Sequence, residues 1–185
     1  MEREVSDRNI LDRFCLDFCG VVDKHCRYIV VSGFVAISSG RTRGTEDIDI
    51  IIENLPLARF SRLHADLVKN GFTCMQGADA KGVYSYLSDK TSVRYTYRDR
   101  FLPEMELKLS KDPLDEYQLQ TRKKIPLTGL DVWFSSINMN ISFKEELLKS
   151  DKDMEDARHL RKVFNEEVDE HEISEIKKMI RRYRL

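Results

Sequence analysis

The alternation of apolar and polar residues predicts a helix, a strand, a short helix and a second strand at the start of the chain. Apolar side chains recur at helical spacing over residues 10–22, so this segment is predicted to be a helix against a sheet, with Ser6 as its N-cap. The β-branched run YIVVSG, residues 28–33, is typical of a buried strand. FVAISS after it can form one or two helical turns, and EDIDIII, residues 46–52, is predicted to be the next strand.

One more helix and three more strands are predicted in the middle of the chain. Asn54 and Pro56 favour a helix start, the apolar residues that follow share one face, and Gly71 suits the left-handed position after a helix end. The runs FTCMQ, SVRYTYRD and EMELKLS are predicted to be strands. The segment 77–90 is ambiguous between helix and strand.

The last third of the chain predicts a small β element and then helices. KKIPLTGLDVWFSS, residues 123–136, is predicted to form two strands around Thr128–Gly129. After Ser136, three segments carry apolar stripes at helical spacing, which are residues 137–149, 153–165 and 172–183. We therefore predict an α+β fold, in which a mixed sheet flanked by helices occupies residues 1–135 and a helical region, residues 136–185, packs on it.

Composition narrows the class of protein. The 185 residues suit one domain, or one domain with a small helical appendage. The 31 Lys and Arg against 32 Asp and Glu give a net charge of -1, so no DNA partner is expected and RNA would need a local basic patch. At 41% hydrophobic and 34% charged residues the composition is that of an ordinary globular protein. No apolar run reaches the roughly 18 residues of a membrane span, and MEREVSDRN is unlike a signal peptide, which predicts a cytoplasmic protein without a membrane partner.

In a cytoplasmic protein the four cysteines are predicted to be reduced thiols. These are Cys15, Cys19, Cys26 and Cys74. The first three could form a zinc site with His25. However, they lack a CxxC pair and fall largely at helical core positions, so the sequence favours a packing role over a metal site.

Asp47 and Asp49 are the first candidate site residues. Side chains alternate between the two faces of a strand, so Ile48 and Ile50 can enter a core while the two carboxylates share the opposite face, about 6 to 7 Å apart. Hard oxygen ligands suit Mg²⁺ or Mn²⁺, and such a cation clamps substrate phosphates. Surface strands also alternate acidic and apolar residues, so the pair by itself leaves a structural interpretation open.

The surroundings of this pair carry a family resemblance. Ser32–Gly33 stands where a strand gives way to a helix, and backbone N–H groups and a hydroxyl there can hold phosphate oxygens. With the short helix and the R-x-T-x-D-I-D run of Arg43, Thr45, Asp47 and Asp49, the sequence resembles the polymerase-β-like nucleotidyltransferase superfamily. More narrowly, GRTRGTEDIDIII resembles AbiEii-type toxins and related minimal nucleotidyltransferase-like proteins.

The resemblance extends over residues 28–164. The family has a third carboxylate on a neighbouring strand, which Glu106 matches with glutamate in place of aspartate, while Glu104 on the same face is a rival. Lys144 matches the family's helical lysine, and Asp156 belongs to the Lys-Asp-x-x-Asp-Ala run that follows it. An arginine often found before that run is absent here.

The resemblance implies a nucleotidyltransferase-like fold and an enzyme that needs Mg²⁺ or Mn²⁺. Such an enzyme moves a nucleoside monophosphate from an NTP to a hydroxyl on RNA or protein, and a toxin of this type has an antitoxin-like partner. The implied catalytic metal ligands are Asp47, Asp49 and Glu106. The implied nucleotide contacts are Ser32, Gly33, Arg43, Thr45, Lys144 and Asp156. The alternative is a catalytically inactive module of the same fold that binds a nucleotide or a partner protein.

Several of these residues have competing structural interpretations. Lys144 lies on the inner face of its helix, where its amine can contact phosphate or its stem can cover apolar surface, and both interpretations stay open. Asp153 is more typical of a helix start. Arg41 is predicted to be a solvated loop residue, whereas the motif favours function for Arg43. The basic end KKMIRRYRL is predicted to be a solvated helix face.

Overall fold

The computed structural model of the protein describes residues 7–42 and 44–185, with side chains from Ile10 onward. The predictions for Ser6 and Arg43 therefore concern positions outside the described residues. The strands are β1 (Tyr28–Val31), β2 (Asp47–Ile52), β3 (Phe72–Cys74), β4 (Val93–Tyr97) and β5 (Glu104–Leu109). The helices are α1 (Asp7–Val22), α2 (Gly33–Ser38), α3 (Leu57–Lys69), α4 (Ala80–Ser88), α5 (Pro113–Gln120), α6 (Ile137–Phe143), α7 (Asp151–Val163) and α8 (Glu170–Arg184).

The strands form one mixed sheet in the order β1-β2-β5-β4-β3. β2 and β5 run parallel, and every other neighbouring pair is antiparallel. The chain leaves β2 for an outer antiparallel pair and then returns to place β5 beside β2. The predicted α+β class, with a mixed sheet flanked by helices, is confirmed.

One face of the sheet is apolar and carries the main core. Ile48 and Ile50 of β2 and Met105 of β5 have no exposed surface, and helices α1 and α3 cover them. The ring of Phe18 on α1 meets that of Tyr95 on β4 at 5.5 Å between centroids. Burial of each such side chain contributes about 1.5–3 kcal/mol, so this face supplies most of the stability of the sheet.

The opposite face is partly apolar and partly acidic. Near β1, Ile29 and Ile51 pack with Leu119 of α5 in a small separate cluster. The rest of this face, along β2 and β5, carries carboxylates. Since α5 covers only one side, the sheet has an open polar surface beside an apolar wall.

The C-terminal helices pack on this arrangement. Met139 of α6 and Ile176 of α8 are buried together with Leu114 of α5. At the start of α7, Ser150 and Asp153 form a capping box in which each side chain bonds the other's backbone N–H. This is the helix-start role predicted for Asp153.

Most predicted elements are confirmed, including the strands at FTCMQ, SVRYTYRD and EMELKLS. Gly71 after α3 has a φ of 91°, the left-handed conformation that glycine adopts at little cost. The ambiguous segment 77–90 contains α4, which Asp79 caps through the N–H of Gly82. Within the described part of the chain, no helix has the length and apolar character needed to cross a membrane.

Two elements differ from the prediction. The two strands expected in residues 123–136 are wrong, because this segment contains a 3₁₀ turn at Pro126–Thr128 and only isolated bridges, in which Phe134 pairs with Val30 of β1 and with Lys123. Proline lacks the N–H that a strand ladder requires, which favours the compact turn. Helix α5 was not predicted, although its Asp112 cap and Pro113 start are recognisable helix signals.

Candidate active site

Four acidic side chains form a row on the polar face of the sheet. The parallel register sets Asp47 beside Glu104 and Asp49 beside Glu106, and residues directly opposite each other point to the same face. All four side chains are partly buried. We call these four residues the carboxylate row. The predicted shared face of Asp47 and Asp49 is observed, and both Glu106 and its rival Glu104 adjoin the pair.

Two basic side chains on the same face partly neutralise the carboxylate row. The guanidinium of Arg94 on β4 lies 3.5 Å from a Glu104 oxygen and 3.9 Å from a Glu106 oxygen. The ammonium of Lys108 on β5 lies 3.5 Å from Glu106 Oε1 and 3.7 Å from Asp49 Oδ1. Neither cation was singled out from the sequence.

The two central carboxyls ionise differently. Burial raises the pKa of Asp49 to about 6, and the negative charges of Glu106 and Asp47 add to this rise, while Lys108 opposes it. Burial also acts on Glu106, but the hydroxyl of Ser92, which donates to Glu106 Oε1 at 2.7 Å, and the nearby cations outweigh it and hold the pKa of Glu106 below its usual range. Asp49 is therefore the member of this pair whose negative charge is poorly compensated.

Thr45 supports the first aspartate. Its hydroxyl donates to Asp47 Oδ1 at 2.9 Å and lies 3.1 Å from the Asp47 carbonyl oxygen. The hydroxyl hydrogen bonds restrict the Asp47 carboxylate. In this structure Thr45 contacts the aspartate, and the role predicted for it as a nucleotide contact remains a prediction.

A pocket of about 180 Å³ opens beside Asp49. Its sheet wall includes Ser32, which has a φ of 68°, a strained conformation for a residue other than glycine. The lining residues are Val31, Ser32, Asp49, Ile51, Lys108, Asp115, Gln118, Asn140, Phe143, Lys144, Leu147, Leu148 and Arg184. Small-molecule pockets usually measure about 300–1,000 Å³, so a whole nucleotide would extend from this pocket across the carboxylate row.

Lys144 reaches the pocket wall from the start of a π-helical turn, Lys144–Leu148, that continues α6. Its ammonium lies 3.1 Å from Asp156 Oδ2, and the two side chains are 1% and 0% exposed. Arg41 also bonds Asp156, at 3.2 Å from Nε to Oδ1, and pairs with Glu155. The solvated role predicted for Arg41 is therefore wrong, because its guanidinium joins a buried ion pair.

This ion pair bears on two predicted nucleotide contacts. Asp156 has no exposed surface, so its carboxylate holds Lys144 and Arg41 rather than facing the pocket. Lys144 has its charge compensated inside the wall, at the boundary of the pocket. The buried pair fixes α6 and α7 relative to the loop after α2.

The fold of the chain is similar to that of proteins of known structure. No protein-family model and no curated protein matches the sequence. The solution structure of the antibiotic-resistance factor ANT(2'')-Ia matches with a TM-score of 0.55, over 94% of this chain and 92% of its own, at 13% identity. An antigenic nucleotidyltransferase-like protein from Paracoccidioides brasiliensis matches with a TM-score of 0.53, over 95% of this chain and 88% of its own, at 16% identity. The chain has the nucleotidyltransferase-like fold.

In this nucleotidyltransferase-like fold the donor types suit a divalent cation, although the ligands are not fully assembled. Asp47, Asp49 and Glu106 offer hard carboxylate oxygens on adjoining strands, and the poorly compensated charge of Asp49 favours an added cation. Among the residues that the structure describes, no three His, Cys, Asp or Glu side chains are already close enough to hold a metal ion together. Lys108 instead contacts both Asp49 and Glu106.

The cysteines play no part in this site. All four are buried free thiols, and burial raises the pKa of Cys26 to about 12. The packing role that the sequence favoured agrees with this burial. Thiols of such high pKa are poor nucleophiles and poor metal ligands.

Proposed function

We propose that this protein is a nucleotidyltransferase that uses Mg²⁺ or Mn²⁺ to move a nucleoside monophosphate from an NTP to a hydroxyl on RNA or protein. The observation that carries the proposal is the register of β2 and β5, which brings Asp47, Asp49 and Glu106 together beside a pocket. The nucleotidyltransferase-like fold supports it. The narrower proposal of a toxin-type enzyme with an antitoxin-like partner rests on the sequence motif alone.

The three carboxylates share one task in this proposal. Asp47, Asp49 and Glu106 hold the cation, with Thr45 orienting Asp47 through its hydroxyl. When bound, such a cation neutralises phosphate charge and lowers the pKa of the acceptor hydroxyl. The protein's own contribution is the fixed position of its oxygens, since phosphoryl chemistry of this kind depends on positioning and charge stabilisation.

The nucleotide is bound by the residues that the family motif implies. Ser32 contributes its hydroxyl and Gly33 its backbone N–H to phosphate oxygens, and Arg43 contacts the triphosphate or the second substrate. Lys144 provides positive charge at the pocket wall. Asp156 is assigned a positioning role, because it holds Lys144 at 3.1 Å and is itself fully buried.

The test is transfer of label from α-labelled NTPs to total RNA or to a protein extract in the presence of Mg²⁺ or Mn²⁺. Asp47→Ala and Asp49→Ala should each abolish the label, because loss of one ligand costs several kcal/mol of barrier, or orders of magnitude in rate. Glu106→Gln should be nearly as severe and Glu104→Gln mild. The reverse order for the two glutamates would move the third ligand to Glu104.

A second candidate function is a catalytically inactive module of the same fold that binds a nucleotide or a partner protein. The observation that favours it is the Lys108 ammonium beside Asp49 and Glu106, where an active enzyme needs its cation. A thermal-shift assay with ATP, GTP, CTP and UTP, each with and without Mg²⁺, tests nucleotide binding directly. Binding without label transfer to either extract would favour the module over the enzyme.

A further inference from the structure

Lys108 bridges the two central carboxylates of the carboxylate row. It follows Glu106 by two positions on β5, so its side chain lies on the same face as the row. Its Nζ is 3.5 Å from Glu106 Oε1 and 3.7 Å from Asp49 Oδ1. Both distances exceed the roughly 3.2 Å of a good hydrogen bond, so the ammonium is held by charge attraction and not by tight directional bonds.

Lys108 differs from the other described cations that line the pocket. Lys144 is 1% exposed and forms its ion pair with the fully buried Asp156. The Arg184 side chain is 14% exposed and is fixed by Asp112 and Asp115 at 2.7 Å each. The Lys108 side chain is 45% exposed. Of these three, Lys108 alone can exchange its partners without breaking a buried network.

We infer that the Lys108 ammonium stands in for a divalent cation between Asp49 and Glu106, and that it leaves this position when the cation binds. The inference rests on the proposed function, which requires a cation held by these carboxylates. Two positive groups on one pair of carboxylates, a few ångströms apart, repel each other even where solvent screens them, so a bound cation disfavours the ammonium at this position. Lys108 also lines the pocket, so the displaced ammonium has substrate phosphate as its next partner.

Competition between the Lys108 ammonium and the cation has a measurable effect on metal affinity. If the ammonium competes with the cation, its removal should tighten cation binding, although the variant loses two ion pairs. A lysine whose ammonium stays away from the bound cation would leave the affinity unchanged on removal. A lysine that organises the ligands for the metal would weaken the affinity on removal.

The experiment measures binding of Mn²⁺ alone, by the loss of the free-ion signal in electron paramagnetic resonance. Lys108→Met should bind Mn²⁺ about ten-fold more tightly than the wild type, as expected for removing one positive charge at close range in a partly solvated site. Lys108→Arg keeps the charge and should bind like the wild type. Lys81→Met, at an exposed position on α4, controls for the change in net charge and should also bind like the wild type.

The outcomes separate this inference from the proposed function. Equal or weaker Mn²⁺ binding by Lys108→Met, with label transfer intact in the wild type, overturns the inference and leaves the enzyme proposal standing. Tighter binding by Lys108→Met without any label transfer supports the inference and counts against the enzyme. Absence of Mn²⁺ binding in all variants overturns the inference, and label transfer then decides the enzyme proposal, because substrate phosphates supply part of the ligands of such a cation. A urea titration of each variant confirms that the protein measured is folded.

Discussion

Replacing Asp49 by Asn is expected to stabilise the metal-free protein at alkaline pH. Burial and neighbouring negative charge raise the pKa of Asp49 from 3.8 to about 6. Each pKa unit corresponds to about 1.4 kcal/mol, so the ionised carboxylate costs the folded state about 3 kcal/mol at pH 8. Asparagine keeps the shape of the side chain and removes the charge, and it should therefore recover most of that free energy.

The sign of the pH dependence follows from proton binding. Between about pH 4 and pH 6 the folded protein holds a proton on Asp49 that the unfolded chain has released, so this group makes stability fall as pH rises. The gain from Asp49→Asn should therefore shrink from about 3 kcal/mol at pH 8 to about 1 kcal/mol at pH 4.5. Urea denaturation in buffer with a chelator, at both pH values, measures the difference.

Asp112→Asn is the matched control, with the opposite sign. Although burial opposes it, the contact with Arg184 and the N–H of Asp115 hold the pKa of Asp112 below its usual range. Asparagine can still cap α5, so the substitution removes mainly the ion pair. It should destabilise at pH 8 and matter less as pH falls below about 4. A loss of stability for Asp49→Asn at pH 8 would refute the reasoning and mark Asp49 as a structural, hydrogen-bonded residue. A gain in stability of the same size at both pH values would also refute it.

Two further expectations concern buried polar contacts. Lys144→Met should lower the free energy of unfolding by about 3–5 kcal/mol, because it leaves the Asp156 carboxylate buried with one partner fewer. Adding Asp156→Asn should restore part of that loss. Urea denaturation measures both effects, and a Lys144→Met protein as stable as the wild type would contradict the prediction. Tyr95→Phe should cost about 1–2 kcal/mol, because it removes the 2.8 Å hydrogen bond to His64 Nδ1 inside the core, and a shift of Tm in calorimetry measures it.

The sequence predicted where helices and strands lie along the chain better than it predicted which of them pair in the fold. Strict alternation in β2 assigned Ile48 and Ile50 to the core and the aspartates to the other face, because a period of two can be seen within six residues. The pairing of β2 with β5 could not be predicted from the hydrophobic pattern, since it joins segments separated by two strands and two helices. Only the family resemblance implied that Glu106 lies on a strand next to that of Asp47 and Asp49. The hairpin expected in residues 123–136 does not form because Pro126 favours a compact turn, and only isolated bridges of Phe134 with Lys123 and with Val30 remain.

The candidate site was predicted in part. The motif and the alternation named Asp47, Asp49 and Glu106, but not Lys108, although the alternation in EMELKL sets that lysine on the face of Glu106. The approach of Lys144 to Asp156 had no comparable signal in the hydrophobic pattern, because it depends on a π-helical turn, Lys144–Leu148, and on the left-handed Lys149 that ends it.

The charge balance of the carboxylate row separates a structural interpretation from a functional one. Among the described residues, Arg94 and Lys108 are the cations within ion-pair distance of the four carboxylates, and each is shared between two of them. A row that served stability alone would gain from replacing Asp49 by a neutral side chain, since its charge costs free energy in the folded state. Perturbed carboxyl pKa values cluster at functional sites, so this cost supports the role proposed for Asp49. The stability of Asp49→Asn and the Mn²⁺ affinity of Lys108→Met therefore both test the charge balance of the carboxylate row. The first measures what the Asp49 charge costs the folded protein, and the second measures how strongly the Lys108 ammonium opposes an added cation.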